Sequence, residues 1–575
     1  MSDNMSNSQI DRINTVDEFD GLCQVWNELA ESQKNYSIFQ SFKWASIWWE
    51  CFGDGHDLYI LTVKRNDDIV GIAPLMKTDF NGPGRHKIIS FLGGKENDYN
   101  GFIGTDINFI VDATLRYLMS HKNDWTHIDF SELPEYSHSY KCLRNILNNK
   151  YSNYRILESD VCLAYEYNGK SIERSEFSVR RNKTFRKKFN YFKKIGDVEL
   201  EVIKNPDDVG RQMYWFFHNH INRWFEKGGI SEFVNIRHQR FIRRLIEELC
   251  PGQQMFLLSL KCDDTRLAQM IVFHYRSSIH NYLLTHNMYY GRKSPGFIIY
   301  LQSLEKFIRE GMDIVDFGRG RTQYKELLCN AERTNMRIKI YCGKFQYLNS
   351  VIYDSLKKLL LVRLFPGTGI IERLKSKFKF YKAFYGLKAT FGKMLTSISR
   401  RIFEYRVFII FNYNGIAEND LKPRMDGIHC RKLTPNWIER IVSFYGAGIG
   451  SDKDKTVRAR FQNDCDCFAA LYRNEIVAIT WGIFTSDTEP ESGFTLTPGE
   501  NEVISSDTNT SPVFRGMRIG PYLLAYVFDN YKQKGLKVIG AVDKSNKAQM
   551  RSNLFLNPTP VRSKRIVRIF GRKIS

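Results

Sequence analysis

Proline is scarce in this chain of 575 residues, with 15, and glycine, with 39, is no more than ordinary. That excludes collagen-like repeats and Pro/Gly low-complexity tracts, and 43% apolar with 14% aromatic residues excludes a wholly disordered chain. Long apolar runs are missing as well. LLLVRLF around Leu361 and VFIIF around Ile409 fall far short of the ~18 residues that a membrane span needs. The opening MSDNMSNSQIDRINTVDEFD is polar and acidic, with no basic patch leading into an apolar core, so no secretory signal is expected. The eleven cysteines are scattered and odd in number. Cys465 and Cys467 are the one close pair, and their spacing suits neither a zinc site nor a thioredoxin-type site. No metal and a reducing cytoplasm are therefore expected.

What the chain has in excess is positive charge. Lys and Arg total 84 against 63 Asp and Glu, a formal net charge of +21. That balance points to an anionic partner: a nucleic acid, an acidic membrane surface or a phosphorylated ligand. At ~150 residues per domain the length predicts three to four domains.

Residues 15–165 alternate helical and strand patterns. LYILTVKR and IVGIAPLM read as adjacent strands joined at Asn66-Asp67-Asp68, and Trp44, Trp48 and Trp49 read as core. Residues 166–345 open with SVRRNKTFRKKFNYFKKIG (178–196), which carries eight basic residues and no acid. A strand, a long amphipathic helix through QMYWFFHNHINRWF, a helix at 239–249 and three strands follow. The unit closes with a helix from Gly296 and the short strand DIVDFG, a strand–loop–helix–strand crossover where open sheets accept cofactors. In residues 346–405 twelve Lys and Arg face three acids (Asp354, Glu372 and Glu404), a net +9. This reads either as a linker with solvated charges or as a basic amphipathic segment on anionic lipid or a partner. Residues 406–575 repeat the strand–basic loop–helix–strand theme around FRGMRIGPYLLAYVF and LKVIGAVD, with a further helix from Asn546.

Four places carry candidate chemistry. In GRKSPG, Arg292 and Lys293 precede Ser294, Pro295 and Gly296 at a helix start, where free N–H groups and the helix dipole favour an anion. Arg515, Gly516, Arg518 and Gly520 form a second basic, glycine-containing helix entry. Either could equally be surface charge beside ordinary turn glycines. DIVDFGRGRTQYK (313–325) sets Asp316, two glycines and polar groups just past a strand end. His220 lies on a helix with Arg223 on the same face and Trp224 next to that. A lone helical histidine is more often structural than catalytic.

Together, HINRW…GISEF (220–233), the strand–SPG–helix element and DFGRG…YK (316–325) resemble the GNAT-type acyltransferases of the CelD-like group, linked to cellulose and other polysaccharide production. That group is similar to the Fem-type peptidyltransferases. The resemblance covers roughly 20–345, and the last stretch looks like another GNAT domain. Its loop matches the family's Arg/Gln-x-x-Gly-x-Gly/Ala pattern at Arg515 and Gly520, with Arg518 where the first glycine is expected.

The resemblance implies an α/β (α+β) fold of tandem GNAT-like mixed sheets flanked by helices. The units are 15–165 (without its own cofactor loop), 166–345 and 406–575, with 346–405 as a basic amphipathic connector. It implies acetyl-CoA or another acyl-CoA as co-substrate, held by Arg292, Lys293, Ser294 and Gly296, or by Arg515, Gly516, Arg518, Gly520 and Asn546. It implies catalytic roles for His220 as general base, Asp316 as orienting group, and Tyr324 or Lys325 as stabiliser of the departing thiolate or oxyanion. Arg223, Trp224 and Arg319 are expected at the acceptor, an amine- or hydroxyl-bearing sugar. Two alternatives stand beside this. A Fem-like aminoacyl-tRNA transferase is disfavoured, because the helices at 209–249 are too short for a Fem helical arm. A non-catalytic scaffold for a polysaccharide synthase is suggested by Arg518 and by 346–405.

Overall fold

A computed structural model of the chain describes residues 8–33, 37–80, 86–169, 173–179, 182–352, 355, 403–413, 421–489, 494–556, 558–569 and 572–573. The chain forms two compact units. Unit 1 takes in Met1–Gly210, Ile236–Leu284 and Gly296–Thr368, and unit 2 takes in Arg211–Asn235, Thr285–Pro295 and Gly369–Ser575.

Unit 1 is built on an 11-stranded mixed sheet. Its strands are β1 (His56–Leu58), β2 (Leu75–Phe80), β3 (His86–Phe91), β4 (His127–Pro134), β5 (Tyr154–Glu166), β6 (Val198–Ile203), β7 (Met255–Cys262), β8 (Thr265–Tyr275), β9 (Ser278–His286), β10 (Ile314–Arg319) and β11 (Ala331–Tyr341). Their order across the sheet is β6-β7-β8-β9-β10-β5-β11-β4-β3-β2-β1. Among the helices are, in chain order, α1 (Phe42–Phe52), α2 (Ile107–Ser120), α3 (Lys183–Lys193), α4 (Pro206–Glu226), α5 (Ile236–Leu249), α6 (Pro295–Arg309) and α7 (Gln323–Glu326). Helix α4 passes into unit 2 at Arg211.

A four-stranded sheet of Ser8–Ile13, Ile60–Arg65, Asp68–Ala73 and Ile103–Gly104 completes the N-terminal part. Its hairpin turns at Asn66 and Asp67, both in the left-handed region (φ 52° and 69°), which is what a two-residue turn between twisted strands requires. Two of the three tryptophans of α1 are core: Trp44 and Trp48 are buried while Trp49 is half-buried, and the helix is capped by Ser41, whose Oγ accepts from Trp44 N at 3.2 Å.

Unit 2 carries an eight-stranded sheet. Its strands are β12 (Phe403–Tyr413), β13 (Ile428–Leu433), β14 (Asp466–Tyr472), β15 (Glu475–Ile483), β16 (Glu502–Thr510), β17 (Lys537–Asp543), β18 (Thr559–Ile569) and β19 (Arg572–Lys573), in the order β13-β14-β15-β16-β17-β12-β18-β19. Helices α8 (Ile519–Lys532) and α9 (Lys547–Leu554) flank it. The order repeats that of β6 to β11. In both sheets the strand that leads the repeat, β5 or β12, lies between the crossover strand and the last strand and runs antiparallel to both.

The expected units 15–165 and 166–345 share one sheet, because β5 spans their boundary and pairs with β10 and β11 along its length. Residues 211–235, expected in the second unit, pack into unit 2 instead. Tyr214 is buried there and donates its hydroxyl to the Ile476 carbonyl at 2.5 Å, and His218 Nδ1 meets Ser511 Oγ at 2.8 Å. Most of the basic connector at 346–405 lies outside the described residues. Among the described residues no helix is long and apolar enough to cross a membrane, and no cluster of ligating side chains could hold a metal ion.

Candidate active site

Strands β9 and β10 run parallel and pair at only three positions: Ser278 with Ile314, Ile279 with Val315, and His280 with Asp316. Both strands continue past that rung without pairing to each other. The opened edges are followed by helix α6, entered through Ser294 in the left-handed region (φ 58°), with Pro295 and Gly296 in its first turn. Unpaired strand edges and a helix start with free N–H groups form a cradle for an extended, phosphate-bearing ligand.

A buried charge network occupies the end of the paired segment. His280 Nε2 meets Asp98 Oδ2 at 2.8 Å, and Nδ1 faces Asp316 Oδ1 at 3.6 Å. Asp316 also accepts from Tyr99 Oη at 2.5 Å and from Gly318 N at 2.7 Å, with Arg333 Nη1 at 3.5 Å. Arg319 Nε donates to Asp98 Oδ1 at 2.6 Å, with Glu132 3.5 Å from its Nη1. Asn335 Nδ2 closes the network on the Asp98 carbonyl and on Glu132 Oε2, at 2.7 and 2.9 Å.

Burial alone would lower the His280 pKa, but Asp316 and Asp98 outweigh it and raise it to about 9. Burial would raise Asp316, but His280 and Arg333 bring it down to about 2, and Asp98 is lowered against burial by His280 and Arg319. At neutral pH the cluster is therefore an imidazolium between two carboxylates. Gly318 is required here: its φ is 69°, and a Cβ would come within 3.0 Å of Asp98 Oδ2.

Lys325 stands apart from this balance. It is buried, and its ammonium donates to the carbonyls of Arg319 at 2.8 Å and Gly318 at 3.4 Å. No carboxylate among the described residues lies within ion-pair distance of it. A buried ammonium satisfied only by carbonyl dipoles is an incomplete site, because burying charge without a counter-charge is costly. It is the group here that an incoming anion would complete.

The structure brings together four of the sequence-predicted residues: Asp316, Arg319, Tyr324 and Lys325. Tyr324 packs its ring 5.3 Å from Tyr300 on α6, which in turn meets Phe317. Every oxygen of Asp316 is committed to a donor, so it is a positioning residue for the Gly318–Gly320 turn. His220, Arg223 and Trp224 belong to unit 2. His220 is buried against Phe216 and Phe233, with Nδ1 on Ser231 Oγ at 2.8 Å and Nε2 accepting from the Trp224 indole at 3.2 Å. Burial, then Arg223 and Lys227, push its pKa down to about 3. With both nitrogens engaged, His220 holds the end of α4 and has no lone pair left for a substrate proton. Trp224 is exposed and Arg223 half-buried.

Gly296 is buried at the start of α6 in unit 1, whereas Arg292, exposed, and Lys293 and Ser294, half-buried, belong to unit 2. In unit 2, Arg515 and Gly516 are exposed, whereas Arg518 occupies a left-handed position (φ 61°) immediately before α8, with its guanidinium over the Phe555 ring at 5.2 Å. Gly520 is buried, and a Cβ there would meet Thr510 Oγ1 at 3.0 Å. Asn546 is the cap of α9, its Oδ1 accepting from Gln549 N at 3.2 Å.

Sequence reasoning missed Asp98, Tyr99, Glu132, His280, Arg333 and Asn335. Asp98 and Tyr99 lie in GGKENDYN (93–100), which reads as a solvated loop, yet Glu96 to Asn100 are all buried. Its signal was the run of polar side chains itself, each of which proves to have a buried partner: Glu96 takes Trp48 and His238, and Asn97 takes Trp44. His280 gave no comparable signal, since it shares its strand face with Ser278, Tyr282, Leu284 and a second histidine, His286.

Residues 179–326 match the family described as acetyltransferase (GNAT) domain. No curated protein matches the chain. Among solved structures, a conserved protein of unknown function from Bacteroides thetaiotaomicron is 11% identical, over 58% of this chain and 100% of its own, with a TM-score of 0.37. The C-terminal domain of a protein described as a lysylphosphatidylglycerol synthetase, from Agrobacterium fabrum, is 10% identical over 60% of this chain and 97% of its own, with a TM-score of 0.37. FemX is 14% identical over 56% of this chain and 96% of its own, with a TM-score of 0.29. The chain thus holds a GNAT-type acetyltransferase domain within a mixed α/β fold.

Proposed function

We propose that the chain is an acyl-CoA-dependent acyltransferase of the CelD-like kind. It would move an acetyl or other acyl group to an amine or hydroxyl of a sugar or polysaccharide-linked acceptor in envelope or exopolysaccharide production. The reading includes a cytoplasmic location, with contact to the inner face of the membrane. The observation that carries it is the buried ammonium of Lys325, which among the described residues has main-chain carbonyls and no carboxylate as partners, beside the opened edges of β9 and β10 in the stretch that matches the GNAT domain.

Acyl-CoA would supply a thioester, whose acyl carbon bonds to the acceptor nitrogen or oxygen as the carbon–sulfur bond breaks, with the acceptor's proton passing by way of solvent to the departing sulfur to give free CoA thiol. The chain's residues fit such a donor. Gly296 and the first-turn N–H groups of α6 suit a pyrophosphate. Lys188 adds a cation, 5.8 Å from the Phe297 ring in the same helical turn. Lys325 stabilises negative charge that develops on the departing sulfur or the carbonyl oxygen. Asp316, His280 and Asp98 hold the strand ends and the Gly318–Gly320 turn that carry Lys325. Arg319 fixes the same turn through Asp98.

Lys325→Met is expected to lower kcat by roughly 10²–10³ while acyl-CoA affinity changes little, and Lys325→Arg to restore part of it. Acyl-CoA turnover with a panel of aminosugars and glycans, alongside calorimetry, reads both. Unchanged turnover in Lys325→Met would remove the assignment. Failure of the wild-type protein to bind any acyl-CoA would remove the whole reading, and salt-sensitive tRNA binding in its place would favour an aminoacyl-tRNA donor.

A further inference from the structure

Residues 344–352 (KFQYLNSVI) are helical and follow directly on β11. One face of this helix is docked: the Tyr347 ring meets Tyr341 at 5.9 Å, and the Ser350 carbonyl accepts from Arg155 Nη1 at 3.3 Å. The opposite face is apolar and bare. Phe345, Leu348 and Ile352 are 73%, 54% and 55% exposed. At 100° per residue these three side chains fall within an arc of roughly 60°. Gln346 and Asn349 flank the stripe on one side and Lys344 on the other. Three large apolar side chains in nine residues, all turned outward from a docked helix, form a patch and not the scattered exposure usual on protein surfaces.

We infer that this stripe is an interfacial anchor that inserts into an anionic lipid bilayer. Two observations select lipid as the occupant. The stripe has the narrow apolar face with polar flanks that lets a helix lie in the plane of a headgroup layer. The chain that continues from it, 353–402, carries twelve Lys and Arg against Asp354 and Glu372, a net +10 complementary to acidic headgroups. Charge draws such a segment to the surface, and the apolar stripe supplies the insertion that charge alone does not. The inference deepens the membrane part of the proposed function and is independent of the acyl donor.

The test uses the full-length protein with vesicles of phosphatidylcholine alone and of phosphatidylcholine with phosphatidylglycerol. Wild type is expected to co-sediment with the anionic vesicles only. The triple variant Phe345→Glu, Leu348→Glu, Ile352→Glu is expected to bind them at least about tenfold more weakly. The control Gln346→Glu, Asn349→Glu, which adds two like charges on the flank, is expected to lose less than about threefold. Circular dichroism and unchanged acyl-CoA binding verify that the triple variant is folded. Equal binding by wild type and triple variant overturns the stripe while leaving the basic segment as the membrane contact. Absence of vesicle binding by wild type overturns both, and leaves the acyl-transfer reading standing. A wild-type dimer that the triple variant dissolves, with vesicle binding unchanged, would overturn the inference in favour of a second copy.

Discussion

The two crossovers of this chain share a backbone plan and differ in what they bury. In unit 1, β9 and β10 pair at three rungs and α6 is entered through a left-handed residue. In unit 2, β16 and β17 also pair at three rungs, Glu502 with Lys537, Val503 with Val538 and Ile504 with Ile539, and α8 is entered through a left-handed residue. The last rung is His280 with Asp316 in unit 1 and two buried isoleucines in unit 2. The same geometry is thus stable with an apolar rung. The buried charges of unit 1 are not something the fold demands, and charges that a fold does not need point to function.

Moving one member of the rung between the crossovers breaks the comparison most sharply. Asp316→Ile gives unit 1 the residue of unit 2, but leaves Tyr99 and the Gly318 N–H without their acceptor and takes one of two carboxylates from His280 and from Arg333. The expected loss is about 3–5 kcal/mol in urea unfolding of unit 1. Ile539→Val, the mild change at the matching position, is expected to cost only about 0.5–1.5 kcal/mol. A loss below about 1 kcal/mol for Asp316→Ile would mean that the network is not coupled.

The pH dependence of the two crossovers should also differ. His280, facing Asp98 and Asp316, has a folded pKa of about 9, above its ordinary value of 6.5. Its contribution is therefore complete below about pH 6.5 and is lost as pH rises through about 9. At 1.36 kcal/mol per unit this amounts to about 3 kcal/mol. Asp316 behaves in the opposite sense: its folded pKa of about 2 lies below the ordinary 3.8, so its contribution is present above about pH 3.8 and is lost as pH falls through 2. Unfolding free energies measured from pH 6 to 10 should fall for wild type and stay flatter for His280→Gln. Equal slopes for the two proteins would show that the histidine is not held as an imidazolium.

Much of the crossover was legible from sequence because it rests on local signals. Pro295 and Gly296 mark the start of α6, the short run IHNYLLTH with its central Tyr-Leu-Leu gives β9, and DIVDFG gives β10. Long-range placement was not legible. Nothing local in β5 says that it slots between β10 and β11, and nothing local in α4 says that Tyr214 and His218 bury in unit 2. His220 drew attention as a histidine beside Arg223 and Trp224. Yet its partners Ser231 and Phe233 arrive from a turn that helical periodicity does not describe. Asp98 was hidden for the converse reason, since a polar run is read as solvated unless its buried partners are known.

The smallest effect tests the helix entries themselves. Arg518 sits at φ 61°, where a side chain costs roughly 1–2 kcal/mol relative to glycine, and its Nε is buried without a hydrogen-bond partner. Against this it stacks on Phe555, a contact of about 0.5–1 kcal/mol. Glycine also carries a greater entropy loss on folding, again about 0.5–1 kcal/mol. The opposing contributions nearly cancel, so Arg518→Gly should shift the stability of unit 2 by less than about 1 kcal/mol in either direction. Native mass spectrometry with acetyl-CoA, comparing wild type, Arg518→Gly and Gly520→Trp, then separates conformation from ligand binding. If Arg518 serves a phosphate, Arg518→Gly and Gly520→Trp should both lose one bound acetyl-CoA while Arg518→Gly keeps its stability. If the arginine is there only to cover Phe555, the acetyl-CoA count will be the same in wild type and Arg518→Gly.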